Sequence, residues 1–314
     1  MSKVFQFLFG CFLLAPGTVL AQSAGETATY VRMVSANDMY YLPRKTDMYF
    51  TNGVSLEVGR QRWRAPRLLA TGQRRLTSYL RLTQHIFTPA LITASELTYG
   101  DRPFASYLHL TWGRELLNDH FGFRLRYAAT AGVLGRPSMG GKAQNWFHRQ
   151  VPWADELPGW HNEVRTDVVL NARLRLEKIV ARNRRTGLAL GTDARLGTLY
   201  TDLAATGRAY WRVLNSRDRR RRLVLEATGR LRAVGYNATL SGGLLNRDAR
   251  FRGVVRPERL VWHGGFGGQL AFQRLRLGTG VRYLGAEFRG GDPHVWAYWS
   301  CQFWLTGARR YTRP

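Results

Sequence analysis

The sequence predicts an all-β chain forming a single transmembrane antiparallel β-barrel of the outer-membrane type, with about 12 strands and longer loops at one end. Three observations predict it. Apolar and polar residues alternate along many segments, arginine recurs on the polar side of those segments, and no apolar run follows the one at the N-terminus. Successive side chains of a strand point to opposite faces, so strict alternation marks a strand with two different surroundings. Strands of a soluble sandwich run to about five or six residues, whereas these are long enough for a tilted strand to cross a bilayer, which takes about 9–11. A membrane barrel turns its apolar face to lipid and its polar face to the lumen, which gives a place to arginines that a soluble core would not accept. Closure also removes the exposed sheet edges.

Taken in order, the chain opens with Lys3, an apolar run from Val4 to Leu14, Pro16-Gly17 and then Val19-Leu20-Ala21. That is the pattern of a secretory signal peptide cleaved after a small residue, which divides the chain into a removed leader, residues 1–21, and one barrel domain, residues 22–314. The run is shorter than the ~20 residues of a membrane-spanning helix. Cys11 leaves with the leader and Cys301 remains alone, so no internal disulfide holds this exported protein. The net charge is +26 and nearly all the positive charge is arginine. A nucleic-acid binder would gather such charge in a stripe or patch; here the arginines are spread singly, apart from Arg217 and Arg219 to Arg222, and the chain is exported, so no nucleic-acid partner is expected. Guanidinium forks suit phosphate, which leaves open an anionic lipid surface as their partner or a plainly arginine-rich composition.

The clearest strand sets Phe121, Phe123, Leu125, Tyr127, Ala129, Ala131 and Val133 against Gly122, Arg124, Arg126, Thr130 and Gly132. Leu170 to Leu176, Leu223 to Leu231 and Ala297 to Leu305 repeat the pattern. Ten tryptophans and many tyrosines match the aromatic girdles of such barrels. The final strand is expected to end near Leu305 and leave a short tail. Gly135 to Arg165 is the longest polar connection, and loops of that length are usually functional or disordered. Trp146, Phe147, Trp153 and Trp160 within it speak for order. Leu214 to Arg222 and Gly242 to Asp248 are further connections.

Polar motifs cluster at strand ends: Asn37-Asp38, Thr51-Asn52-Gly53, Phe87-Thr88-Pro89, Asp101-Arg102-Pro103, Gln144-Asn145 with His148 beyond, and Glu287-Phe288-Arg289 with Gly291-Asp292. Read singly, Asn and Asp here are turn formers, and Asp101 beside Arg102 is a local ion pair. His148, His161, Asp155 and Glu163 match no familiar zinc spacing.

Together and in this order, the motifs resemble the lipid A 3′-O-deacylase family over nearly the whole chain after the leader. The resemblance implies a twelve-stranded outer-membrane barrel that uses calcium to release the 3′-acyloxyacyl group of lipid A. It implies His148, Asn37, Asp38 and Thr51 as catalytic residues near the outer-leaflet end, and Gln144 and Arg102 as substrate contacts. Asp38 becomes the leading calcium ligand, with Asp47, Asp101, Asp155 and Glu156 as weaker candidates. Family members carry a lysine after the Thr-Pro pair and an acidic residue shortly after the histidine. Ala90 to Glu96 contains no lysine, so Arg102 is the candidate replacement, while Asp155 or Glu156 would orient the histidine. A neutral histidine can take the proton of an attacking water, and a hard cation held by oxygens can stabilise the oxyanion. The implied partners are lipid A or lipopolysaccharide and outer-membrane lipid in a Gram-negative cell, with a monomer expected. Two alternatives stay open: an outer-membrane phospholipase acting on glycerophospholipid, although no histidine closely precedes a serine in the manner of those enzymes, and a passive porin-like barrel.

Overall fold

The computed structural model describes residues 27–41, 48–62, 74–151, 155–215, 221–251 and 253–306. The leader assigned to residues 1–21, the candidate ligand Asp47 and the tail after Thr306 lie outside the described residues. Twelve strands close into one antiparallel barrel in which each pairs with its neighbours in sequence. They are β1 Thr27–Asn37, β2 Tyr49–Arg62, β3 Arg74–Thr88, β4 Ala105–Asn118, β5 Phe123–Leu134 and β6 Asp167–Arg182. The second half comprises β7 Thr186–Gly197, β8 Tyr200–Asn215, β9 Arg221–Asn237, β10 Leu260–Phe272, β11 Leu275–Leu284 and β12 His294–Trp304. Met33 of β1 pairs with Cys301 of β12 on one side and Leu56 of β2 on the other, which closes the ring.

The alternation assigns the two faces. Leu56, Leu80, Leu82, Leu110, Trp112 and Leu174 are exposed on the outer wall, where lipid is their solvent. The opposite parity points inward and carries the charge: Arg81 Nε donates to Glu57 Oε2 at 2.6 Å, Arg126 Nε to Glu115 Oε2 at 3.0 Å and Arg173 Nε to Asp193 Oδ1 at 2.8 Å. Arg208 pairs with Glu177, and Arg195 and Arg232 both reach Asp202. Charges removed from bulk water persist only where they are paired and hydrogen-bonded. These strand arginines thus fill the lumen instead of facing lipid, while Arg60, Arg62 and Arg114 stand exposed at the outward parity toward the periplasmic ends of β2 and β4.

Connections differ at the two ends. Those at 119–122, 183–185 and 273–274 are tight, while 89–104, 135–166 and 238–259 are long. Outer-membrane barrels keep short turns on the periplasmic side, so the long connections mark the outer end. Two helices form there, α1 (Gly140–Arg149) and the short α2 (Ala238–Ser241). Below them Phe50, Phe87, Tyr107, Leu134, Leu199 and Phe251 pack into a buried cluster that closes the lumen from above. Arg102 sits in this plug, its guanidinium 4.4 Å from the Phe87 ring centre and donating to Glu287 Oε2 at 3.1 Å and Thr239 Oγ1 at 3.0 Å.

Candidate active site on the outer wall

The outward parity of β2, β3 and β4 continues above the lipid-facing leucines into a different set of side chains. On β3 it runs Leu80, Leu82, Gln84, Ile86, Thr88, and on β4 it runs Trp112, Leu110, Leu108, Ser106. Thr88 and Ser106 are fully buried, so something other than lipid covers the wall there. On β2 the pairing with β3 slips between Phe50 and Asn52. A bulge opposes two residues to one and re-aims a side chain. Thr51, the extra residue, joins the outward side and places its Oγ1 2.8 Å from Thr88 Oγ1, while Phe50 stays in the plug.

β1 ends beside this bulge, with Asn37 the cross-strand partner of Asn52. Asn37 is extended and caps the 3-10 turn Asp38–Tyr40, its Oδ1 accepting Met39 N–H at 2.7 Å. The Asp38 carboxylate is buried; Oδ1 accepts from Met39 N at 2.8 Å and Oδ2 from Met48 N at 3.2 Å. Backbone donors on both oxygens fix the direction of this carboxylate. Asn52 Oδ1 is also buried and has no hydrogen-bond partner. Carboxylate, amide and hydroxyl oxygens of this kind suit a hard cation such as calcium, and an orphaned buried amide oxygen is costly unless a donor or cation meets it. Among the described residues no group of three or more His, Cys, Asp or Glu gathers as a metal cluster, so any metal here takes mainly neutral oxygens with Asp38.

The histidine-bearing stretch, expected as a loop, is the helix α1 lying against the outer wall. The chain turns over β4 with Gly135 N–H bonded to Ser106 O at 2.7 Å, passes the 3-10 turn Arg136–Ser138 and enters the helix through Met139 in the left-handed region. Gly140, Gln144 and His148 are its buried residues, spaced by four and therefore on one face. Gly140 permits the close approach: a Cβ there would stand 2.5 Å from Ser106 Oγ and 3.3 Å from Ile86 Cγ1. Ile86 is the cross-strand neighbour of Asn52, so α1 begins one strand away from the Asn37–Thr51 corner. A polar latch holds it down. Gln84 Nε2 donates to Ser138 O at 2.6 Å, the Ser106 and Ser138 hydroxyls are 2.6 Å apart, and Ser106 Oγ lies 3.3 Å from Glu163 Oε2. Burial pushes the Glu163 carboxyl up to about 7.

His148 Nδ1 lies 2.6 Å from Asp155 O. A carbonyl only accepts, so the proton is on Nδ1, and in the neutral ring the lone pair falls to Nε2. Gln144 Oε1 accepts Trp160 Nε1–H at 3.1 Å, which fixes the amide orientation and leaves the buried Nε2 without a hydrogen-bond partner.

The predicted residues therefore divide. Asn37, Asp38 and Thr51 stand together where β1 meets the bulge of β2, and Gln144 and His148 stand on the helix whose first residue lies one strand away. Asp155 orients His148, but through its backbone carbonyl and not its carboxylate. Glu156 is exposed and pairs with Arg149 at 2.9 Å. Asp101 is occupied as a turn former, Oδ2 accepting from Ala90 N at 2.7 Å and Leu91 N at 3.3 Å. The expectation that Arg102 supplies a substrate-facing cation does not fit its placement: it is buried on the lumenal side of the wall, over Phe87 and paired with Glu287. Ser106 and Ser138 were not singled out from sequence, and Asn52, Thr88, Trp160 and Glu163 were named there without a role in this site. Two of them carried a signal, since Thr88 and Ser106 are polar at the parity that lower down holds leucine.

The sequence model of one family, described as outer membrane protein LpxR, matches residues 7–303. Among solved structures, LpxR from Salmonella typhimurium is similar with a TM-score of 0.70 and 20% identity, over 87% of this chain and 99% of that one, and shows the same barrel fold. More distant are the beta domain of the Bordetella autotransporter Brka, with a TM-score of 0.49 and 10% identity over 90% and 99% of the two chains, and the translocator domain of autotransporter NalP from Neisseria meningitidis, with 0.47 and 9% over 90% of each. No curated protein sequence matches the chain.

Proposed function

This chain belongs to the LpxR family of outer membrane proteins and is a lipid A deacylase, an ester hydrolase of the Gram-negative outer membrane; we propose that it releases the 3′-acyloxyacyl chain with a water activated by His148 and with calcium bound at the Asn37–Thr51 corner. One observation carries this reading: α1 starts with Gly140 against Ser106 and Ile86, the cross-strand neighbour of Asn52, and carries Gln144 and His148 on the same buried face. Lipid A lies in the outer leaflet, so a site outside the barrel reaches it without a passage through the lumen. The exposed apolar side chains of Met39, Tyr40, Met139 and Trp146 border the two halves of the site and suit acyl chains.

His148 Nε2 accepts a proton from water as the water oxygen attacks the ester carbonyl carbon. Asp155 O, accepting from Nδ1, stabilises the imidazolium that results. Gln144 Nε2, held by Trp160, donates to the carbonyl oxygen as it gains charge. The carbon–oxygen bond to the sugar then breaks and the imidazolium returns its proton to the sugar oxygen, leaving a fatty acid and a free hydroxyl. Asp38, Asn37, Asn52 and Thr51 supply the oxygens for calcium, with Asp38 the only charged one. Bound calcium contributes positive charge that favours the oxyanion. The test is mass spectrometry of lipid A from cells expressing the protein or His148→Ala, with and without chelator. Loss of the ester-linked chain that requires both His148 and calcium is expected. Deacylation by a folded His148→Ala barrel would remove the histidine from the mechanism.

A further inference from the structure

The lumen carries more guanidinium than carboxylate, and the surplus is concentrated. The strand register lines up one inward row across the sheet: Arg222 of β9, Ala271 of β10, Arg276 of β11, Gln302 of β12, Arg32 of β1 and Glu57 of β2. Neighbouring strands lie about 4.8 Å apart, so residues two strands apart in the row stand about 10 Å from one another and long side chains from both can meet. Arg276 has Arg222 two strands away on one side and Arg32 two strands away on the other, so both charges oppose its own. Glu57, the one acid in the row, is already engaged by Arg81 and by the Tyr30 hydroxyl at 2.7 Å. Among the described residues Arg222 and Arg276 have no carboxylate partner.

Arg276 and Arg222 each stand second in strands that start at the periplasmic end. The opposite end of the lumen is closed by the aromatic plug around Phe87 and Tyr107. Arg222 is exposed and Arg276 partly so, so the guanidinium cluster faces periplasmic water and not the outer medium. Like charges gathered on one face raise the energy of the barrel unless an anion sits among them, and guanidinium forks match the oxygens of a tetrahedral oxyanion. Ala271, lying between Arg222 and Arg276, and Gln302, lying between Arg276 and Arg32, keep further charge out of the row and add an amide donor.

We propose that Arg276, Arg222 and Arg32, with Gln302, form a lumenal site open to the periplasm that binds a phosphate group carried by a small solute, separate from the deacylation site on the outer wall. The site acts on stability and not on chemistry, because it lies on the other face of the wall from His148.

The test uses the full-length protein in uncharged detergent micelles, with inorganic phosphate as probe and sodium chloride at matched ionic strength as reference. Phosphate should raise the unfolding temperature saturably beyond the chloride response. Arg276→Gln should weaken phosphate binding at least about tenfold, the loss expected for a charged hydrogen bond, and should raise the unfolding temperature in phosphate-free buffer because it removes a repelling charge. Arg276→Lys, which keeps the charge and loses the fork, should bind with intermediate affinity. Phosphatidylglycerol mixed into the micelles, whose headgroup stays at the interface, should leave the response unchanged. Equal responses to phosphate and chloride, full phosphate binding by Arg276→Gln, or suppression by phosphatidylglycerol would each overturn the site.

Discussion

Glu163→Gln tests how the active-site helix is held. Glu163 lies against Ser106, which in turn meets Ser138 at the entrance to α1, and Gly140 rests on the same serine. The carboxyl is buried, and burial disfavours its charged form. Holding it at about 7 instead of 4.5 costs the docked loop about 3 kcal/mol once it is ionised. The sign follows from linkage. Below pH 4.5 the acid is protonated whether the loop is docked or released, and there is no cost. Between 4.5 and about 7 the released loop loses its proton while the docked one retains it, so docking weakens as pH rises, and above that window the full cost is present. Glutamine is neutral throughout and keeps a side-chain oxygen and donor for Ser106. Docking in the variant should match the wild type near pH 4.5 and exceed it at pH 8, by up to about 3 kcal/mol. Amide hydrogen exchange of residues 140–149 in micelles, corrected for the intrinsic pH dependence of exchange, measures this directly. Wild-type protection should fall through the window and variant protection should stay level. A variant with the same pH dependence as the wild type, or with weaker protection at pH 8, would refute the role assigned to Glu163.

Three further predictions concern the same corner. Gly140→Ala introduces a Cβ 2.5 Å from Ser106 Oγ, so α1 must withdraw by about 1 Å to regain van der Waals separation; turnover should fall roughly 100-fold, the usual consequence of that displacement, with the barrel intact, and Ser106→Gly in the same chain should restore part of it. Trp160→Phe removes the donor that orients Gln144 while keeping a ring against Phe104; kcat should drop about tenfold with KM little changed, as for a lost transition-state hydrogen bond, and an unchanged kcat would detach Gln144 from the oxyanion. Asn52→Ala removes the orphaned buried oxygen; the calcium concentration for half-maximal deacylation should rise about tenfold, equivalent to about 1.4 kcal/mol of lost ligation, and a variant with the wild-type calcium requirement would place the ion elsewhere.

The barrel was legible because period-two alternation needs no distant information. Phe123 to Val133 faces outward and Arg124 to Gly132 inward as the pattern requires, and the surplus arginines follow from the same parity. The site was legible in composition but not in geometry. Asn37, Asp38 and Thr51 stood at strand ends, yet nothing local indicates that a bulge at Phe50/Asn52 turns both Thr51 and Asn52 outward, because a bulge is a relation between two strands. The helix was hidden for a local reason: Gly140-Gly141 and a left-handed Met139 with no side-chain cap hide the usual start signals, although the four-residue spacing of Gly140, Gln144 and His148 was present. Arg102 misled for a tertiary reason, since its acid is Glu287, 185 residues further along the chain, and not the adjacent Asp101. The most informative unread signal was a break of parity. Thr88 and Ser106 fall where the pattern below holds Leu80, Leu82 and Leu110, and a polar residue at a lipid-facing position near a strand end implies that protein, not lipid, lies over it. The covering element must come from a long outer connection, and residues 135–166 join the strand next to β4 to its neighbour. The same parity therefore places α1 on the outside of the wall, and His148 with it on the outer side of the barrel instead of in the mouth of the lumen.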